Sequence, residues 1–443
     1  MRVCRYVCVN RCISALMLSV FLLQIGISRA GAQAPISPNL FSMSMNSGVT
    51  YKQPWPVDSF STLRLLVPGT AWGTMNPGNG VYDFTVLDDF MALAKAHQTS
   101  LLLVFAEVPR WASSKPNDGT CSIYPGSCDP PNDLNADGSG TDQHWKDFVT
   151  ALVTHSVNSS NGHVQYYELW NEPMDPWYWT GTNAQLVRLA ADAYTIIKSM
   201  DPSAQLATPS FAWETKYCLT WMGDYLAAGG GNYADRIDVH GYVDSRGGKV
   251  GWPENMAIFV PAFLEVLRQN GQQGKPVWNT EANWGAYNPH RHLADPDLQA
   301  AWIARMYLLS AAYNVSRLFW FSWNDVDLGT LWKPSGKNGG GRGTLLKPGI
   351  AYQQVHNWIV GASPNQACSA MVSIWTCGYT RPGGYVAEAI WDTSDTCISG
   401  KCITHPYKVD AKFTKYLTVA GESFNIGDGI VPIGAQPIFL ENQ

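Results

Sequence analysis

The chain has 443 residues, 46% of them hydrophobic, 12% aromatic and only 15% charged, where an average soluble protein carries roughly 25% charge. That balance excludes disorder and coiled coil, and 30 basic against 35 acidic residues, a net charge of −5 with no basic stripe, excludes nucleic acid as a partner. The 19 Trp, 20 Tyr and 15 Phe beside 40 Gly and 27 Pro point to a large, loop-rich molecule with aromatic recognition surfaces.

At the start of the chain Arg2, Arg5 and Arg11 precede an apolar run over 13–27, and Ala30-Gly31-Ala32 supplies the small residues of a cleavage site. This is the pattern of a secretory signal over 1–32. The run is about 15 residues, where a bilayer span needs about 20. The mature chain is therefore expected to be secreted, extracellular or periplasmic, with no membrane attachment once the signal is removed. The cysteines agree with export. Three of the ten leave with the signal, and six of the rest form the close pairs Cys121/Cys128, Cys368/Cys377 and Cys397/Cys402. Three local disulfides are expected, with Cys218 as a buried thiol.

Short apolar runs then alternate with helical patterns. The runs lie near 40–45, 63–67, 100–105, 164–170, 205–207, 237–239, 276–279 and 317–321, and helical spacing occupies 86–96, 144–153, 184–200, 257–269 and 298–313. Near-continuous apolar strands, each followed by a helix, indicate a parallel sheet buried on both faces. Eight such units over about 320 residues favour a closed (β/α)8 TIM barrel over an open doubly wound sheet. Past residue 363 the helical period stops, and short strand-like pieces at 371–375, 385–391, 416–419 and 437–440 follow one another. The expected organisation is an α/β barrel over 33–362 and a small all-β, sandwich-like domain over 363–443.

Reactive groups of such barrels gather where strands end at their carboxyl side. Strand four closes with Trp170-Asn171-Glu172-Pro173 and strand seven with Asn279-Thr280-Glu281-Ala282-Asn283-Trp284. Three βα units separate the two glutamates, which sets them across the mouth from each other. Facing carboxylates in an aromatic cleft suit acid catalysis by one and nucleophilic or base catalysis by the other.

Glu168-Leu169-Trp170-Asn171-Glu172-Pro173 resembles the acid/base motif of the clan of retaining (β/α)8 glycoside hydrolases, and Val277-Trp278-Asn279-Thr280-Glu281 resembles its nucleophile strand. Arg64, His240-Gly241-Tyr242 and Trp323 match in order after strands two, six and eight, so the likeness spans about residues 40–330. Within the clan the chain is most similar to families 39 and 5, the first through Val108-Pro109-Arg110-Trp111-Ala112-Ser113. The resemblance implies Glu172 as general acid/base with a raised pKa, and Glu281 as a nucleophile kept ionised by Arg64 and the Tyr242 hydroxyl. It also implies Asn171 on the sugar 2-hydroxyl, Trp323 beneath the sugar, and His240 orienting the acid/base. Trp111, Trp284 and Glu107 are further candidates for substrate contact, and Arg64 or Arg110 is expected to neutralise Glu107. The implied partner is a polysaccharide or oligosaccharide, bound by a monomer without cofactor or metal. Asp133-Leu134-Asn135-Ala136-Asp137-Gly138 begins like a calcium loop but has His144 where the closing Glu belongs. A non-catalytic sugar-binding barrel and a transglycosylase using the same carboxylates are the alternatives.

Overall fold

The computed structural model describes residues 34–45, 55–213, 216–243, 251–284, 293–324, 329–335 and 341–443. The expected signal over 1–32 lies outside the described residues. The barrel strands are β1 (Phe41–Ser44), β2 (Thr62–Leu65), β3 (Ser100–Val104), β4 (Tyr166–Glu168), β5 in two pieces (Gln205–Ala207 and Phe211–Ala212), β6 (Ile237–His240), β7 (Val277–Ala282) and β8 (Val315–Trp320). All pair in parallel, and β1 pairs with both β2 and β8. The ring closes at β5. Its first piece pairs with β4 and its second with β6, while Thr208 N–H donates to the Arg236 carbonyl at 3.0 Å across the seam. The (β/α)8 barrel expected from the sequence is the architecture found.

Helices α1 (Thr85–Ala96), α2 (Gln143–Asn158), α3 (Asn183–Met200), α4 (Lys216–Ala227), α5 (Met256–Gln269), α6 (Pro296–Ala312) and α7 (Lys347–Ile359) surround the strands. Their starts follow local chemistry. Thr182 and Gln185 form a reciprocal capping box on α3, and Asp295 accepts from the Asp297 and Leu298 amides ahead of Pro296 in α6. Asp133 accepts from the Gln143 and His144 amides at the start of α2, and Asp137 closes a turn on Ser139. Two acids of the calcium-like loop are thus engaged in backbone capping.

Helix α6 is apolar on every side because it is packed on every side. One flank meets the barrel; the other meets α7 and the C-terminal sheet. That antiparallel sheet has six strands, in the spatial order Ser363–Met371, Ile374–Arg381, Tyr385–Asp392, Ile438–Glu441, Lys415–Thr418 and Ser423–Asn425. Strand alternation divides its residues between two cores. Ala387, Ala389, Trp391 and Phe439 face the barrel's own core, where Phe439 stacks on Trp358 at 5.2 Å. Ile390, Ile438 and Leu440 face a second cluster with Val431 and Ile433, covered by the pair Thr404–Lys408 and Ile430–Gly434. The C-terminal region is all-β as expected, and its main core is continuous with the barrel's. Arg305 of α6 adds a clamp, donating from Nε to the Ala435 carbonyl at 2.9 Å. The three disulfides join Cys121 to Cys128, Cys368 to Cys377 and Cys397 to Cys402, and the Cys218 thiol is buried. No described helix is long and apolar enough to cross a membrane.

Candidate active site

The carboxyl ends of β2, β4, β6 and β7 carry Arg64, Glu168, His240 and Glu281, all buried. A barrel interior is ordinarily filled by branched apolar side chains; this layer is a charge network. The Arg64 fork donates from Nε to Glu168 Oε2 at 2.7 Å and from Nη2 to Glu168 Oε1 at 2.8 Å. Its Nη1 donates to Glu281 Oε1 at 2.7 Å, and Nη2 also reaches Asn171 Oδ1 at 3.0 Å. Burial opposes the charge of Arg64, but Glu168, Glu281 and Asp238 outweigh it and raise its pKa further.

Backbone irregularities aim the remaining groups. The β6–β7 register shifts between Val239 and His240, so that His240 lies opposite Glu281. Gly241 makes the close approach possible. A Cβ there would stand 2.1 Å from Asn279 Nδ2, and instead the Gly241 amide donates to Asn279 Oδ1 at 2.8 Å. Glu172 follows β4 in left-handed backbone, φ 42°, and its amide donates to Ser210 Oγ at 3.1 Å. Glu107 beyond β3 is left-handed too, φ 65°. Each such residue costs about 1–3 kcal/mol and persists only where its surroundings impose it.

The two strand-end glutamates converge on His240. Its Nδ1 lies 2.7 Å from Glu172 Oε1 and 3.5 Å from Glu281 Oε2, and carboxylate oxygens of Glu172 and Glu281 approach within 4.8 Å of each other. Arg64 Nη2 is 3.2 Å from His240 Nε2. A Glu172 carboxylate oxygen can only accept, so Nδ1 carries a hydrogen and donates it to Glu172. Burial opposes a charge on this imidazole, while Glu281 and Glu172 draw its pKa upward. Tyr242 donates its hydroxyl to Glu281 Oε2 at 2.7 Å. Burial works against the Glu281 carboxylate, but His240, Arg64 and the Tyr242 hydroxyl hold it below the ordinary glutamate range.

A cavity of about 570 Å³ opens above this network. Asn171, Glu172, Tyr242, Glu281 and Glu107 line it, with Trp170, Trp177, Tyr178, Tyr124 and Phe321 as its aromatic walls. One wall is the loop closed by Cys121–Cys128, tied to the neighbouring loop by the Ser122 amide on the Trp177 carbonyl at 3.1 Å. The set Glu172, His240 and Glu281 is compact enough for metal ligation, but the Arg64 guanidinium already supplies the positive charge on Glu281. In the C-terminal region His405 places Nδ1 2.8 Å from Asp395 and Nε2 3.6 Å from Asp392.

Several expectations are redirected by this geometry. Trp323 is buried against Trp332 at 5.8 Å, and Phe321 at the end of β8 reaches the cavity instead. Trp284 is packed among Trp302 and Trp320, and Trp111 donates its indole N–H to the Asn76 carbonyl; neither lines the cavity. Trp284 and Trp323 are buried and Trp111 is half-buried, because strand-end direction, not residue type, decides which ring meets the cavity. Neither arginine neutralises Glu107: Arg64 is shared by Glu168, Glu281 and Asn171, and Arg110 turns outward to the Pro116 carbonyl and Asn117. The main partner of Arg64, Glu168, lies inside the motif Glu168 to Pro173 and was missed; the signal for it is that the period of two puts it on the same interior face as Tyr166 of β4.

Neither a family model nor a curated protein sequence matches the chain. Solved structures do. A family 39 glycoside hydrolase from Bacteroides cellulosilyticus WH2 superposes with a TM-score of 0.64 at 17% identity, covering 91% of this chain and 82% of that one. A monomeric β-xylosidase from Caulobacter crescentus CB15 gives 0.60 at 17% identity over 93% and 97%. A family 30 subfamily 8 xylanase from Clostridium acetobutylicum gives 0.58 at 13% identity over 93% and 97%. The likeness is one of fold: the structural neighbours are glycoside hydrolases built as a barrel that this chain shares almost from end to end.

Proposed function

We propose that this protein is an exported, retaining glycoside hydrolase that cleaves β-glycosidic bonds of oligosaccharides or polysaccharides. The observation that carries the reading is the approach of Glu172 and Glu281 from the ends of β4 and β7, with carboxylate oxygens within 4.8 Å in one aromatic-walled cavity. Retaining enzymes hold their carboxyl groups about 5–5.5 Å apart, whereas inverting ones leave about 6.5–9.5 Å for a water. The approach falls on the retaining side of that divide, and Glu281 is accordingly assigned the direct attack on the anomeric carbon.

Each neighbour has a part in that step. Arg64 and the Tyr242 hydroxyl keep one Glu281 oxygen pair ionised and oriented. Glu172 protonates the glycosidic oxygen as the bond to the anomeric carbon breaks, and the leaving alcohol departs with that proton. Glu172, then a carboxylate, takes a proton from water, which attacks the glycosyl ester and restores Glu281 with net retention. His240 holds Glu172 through its Nδ1 hydrogen. Asn171, its carbonyl oxygen fixed by Arg64, presents its amide nitrogen to the sugar 2-hydroxyl. The xylosidase and xylanase among the neighbours make β-xylosides the first substrates to try. The disulfides suit an oxidising compartment.

An activated 2-deoxy-2-fluoro β-glycoside tests the reading. Peptide mass spectrometry of the inactivated enzyme is expected to find the sugar on Glu281, and proton NMR of early product to find the β-anomer. An α-anomer first, or label on another residue, rejects it.

A further inference from the structure

Glu107 is a third carboxyl in the cavity of Glu172 and Glu281, and the double displacement does not use it. Its left-handed backbone, φ 65°, sets it on the cavity wall. Among the described residues no cation or hydrogen-bond donor meets its side chain. Arg64 is held by Glu168 and Glu281, and Arg110 by Pro116 and Asn117. The described groups that share its cavity are acidic or neutral. Tyr124 turns its hydroxyl to the Val108 carbonyl at 3.1 Å, and Glu172, Glu281 and Tyr242 share the cavity. A carboxyl partly withdrawn from water on a cavity wall, with no described cation facing it, is more stable with its proton on.

Resting on the glycoside hydrolase reading, we propose that Glu107 stands as a neutral carboxylic acid that donates its O–H to a hydroxyl oxygen of an uncharged glycosyl unit. The substrate class is accordingly a neutral sugar. Among the described residues a uronate would meet three acids and no free cation. In support, burial pushes the Glu107 carboxyl up to about 7, so it carries the proton at mildly acidic pH and loses it, with the hydrogen bond, as pH rises.

Two measurements test this independently. In the first, KM is followed from pH 5 to 8.5 on whichever aryl β-glycoside is turned over best, since a phenolate leaves with little help from Glu172. Wild-type KM is expected to rise about tenfold one pH unit above the Glu107 pKa, as the competent fraction falls. Glu107→Gln, a permanent neutral donor, is expected to show a flat KM, and Glu107→Ala a KM raised up to about tenfold at every pH. A wild-type KM that stays flat, or the same rise in Glu107→Gln, overturns the proposal. In the second, the infrared difference between wild type and Glu107→Gln without substrate is expected to contain the carbonyl stretch of a protonated acid at pH 5.5, lost by pH 8.5. Turnover without that band rejects the neutral Glu107 alone. The band without turnover of any glycoside rejects the hydrolase reading, and the sugar-donor role with it.

Discussion

The barrel interior holds a buried arginine at each end, and the protein surrounds the two in opposite ways. Arg64 at the carboxyl end is gripped by Glu168 and Glu281. Arg317 at the amino end lies on the ring faces of Tyr166 and Trp278, at 4.4 and 4.6 Å, and donates to the Thr62 and Tyr166 hydroxyls, with no described carboxylate in ion-pair range. Burial lowers the pKa of Arg317, with Tyr166 opposing, whereas the acids raise that of Arg64. The difference separates two uses of one residue type. Aromatic faces stabilise a cation diffusely and close the floor of the barrel. Paired acids fix a cation in direction, and through it the Glu281 carboxylate.

The strongest way to break the comparison is at the nucleophile. Glu281→Ala is expected to lower turnover on every substrate by a factor on the order of 10⁴ or more. Glu172→Ala is expected to spare aryl glycosides with good leaving groups, with azide partly restoring the rest. Equal losses in the two variants on activated substrates would remove the distinction between their roles.

Next come the arginines themselves. Arg64→Met leaves Glu168 buried without its partner and is expected to cost about 3–5 kcal/mol of stability along with activity. Arg317→Met leaves only neutral hydroxyls behind, so a loss of about 1–2 kcal/mol with kcat kept within roughly threefold is expected. Urea unfolding and steady-state kinetics of both variants decide the matter; similar losses would show that the acids around Arg64 do no more than pack.

Opening the Cys121–Cys128 loop by a double Ser substitution is expected to cost about 2–3 kcal/mol and to raise KM severalfold, because that loop walls the cavity. Opening Cys397–Cys402, away from the cavity, is expected to leave KM unchanged.

The smallest effects are the pH dependences, and they carry opposite signs. Glu281 sits below the ordinary glutamate pKa of 4.5, so its contribution to stability is held above that value and is lost as pH falls from there through the folded value. Glu107 is raised to about 7, so stability falls as pH climbs from about 4.5 toward 7. The melting temperature of Glu107→Gln is therefore expected to gain on wild type between pH 5 and 8. A gap that stays constant would mean that Glu107 is ionised throughout.

Much of this molecule is written in local pattern. Apolar runs such as 100–105 and 276–279, each followed by helical spacing, specify a parallel sheet covered on both faces, because no other arrangement buries them. The strings around Glu172 and Glu281 place both acids at strand ends, and the cysteine pairs are local enough to read directly. Tertiary structure alone decides which neighbours they meet. The partnership of Arg64 with Glu168 rather than Glu107 depends on β2 and β4 pointing to one interior layer, a relation between residues about a hundred positions apart. Phe321 rather than Trp323 reaches the cavity, and Trp284 turns to the core, because the direction of a side chain leaving a strand is set by backbone irregularities that composition does not record. The shift before His240 and the left-handed turns at Glu107 and Glu172 are such irregularities, locally unfavourable and stable only once the whole barrel closes around them.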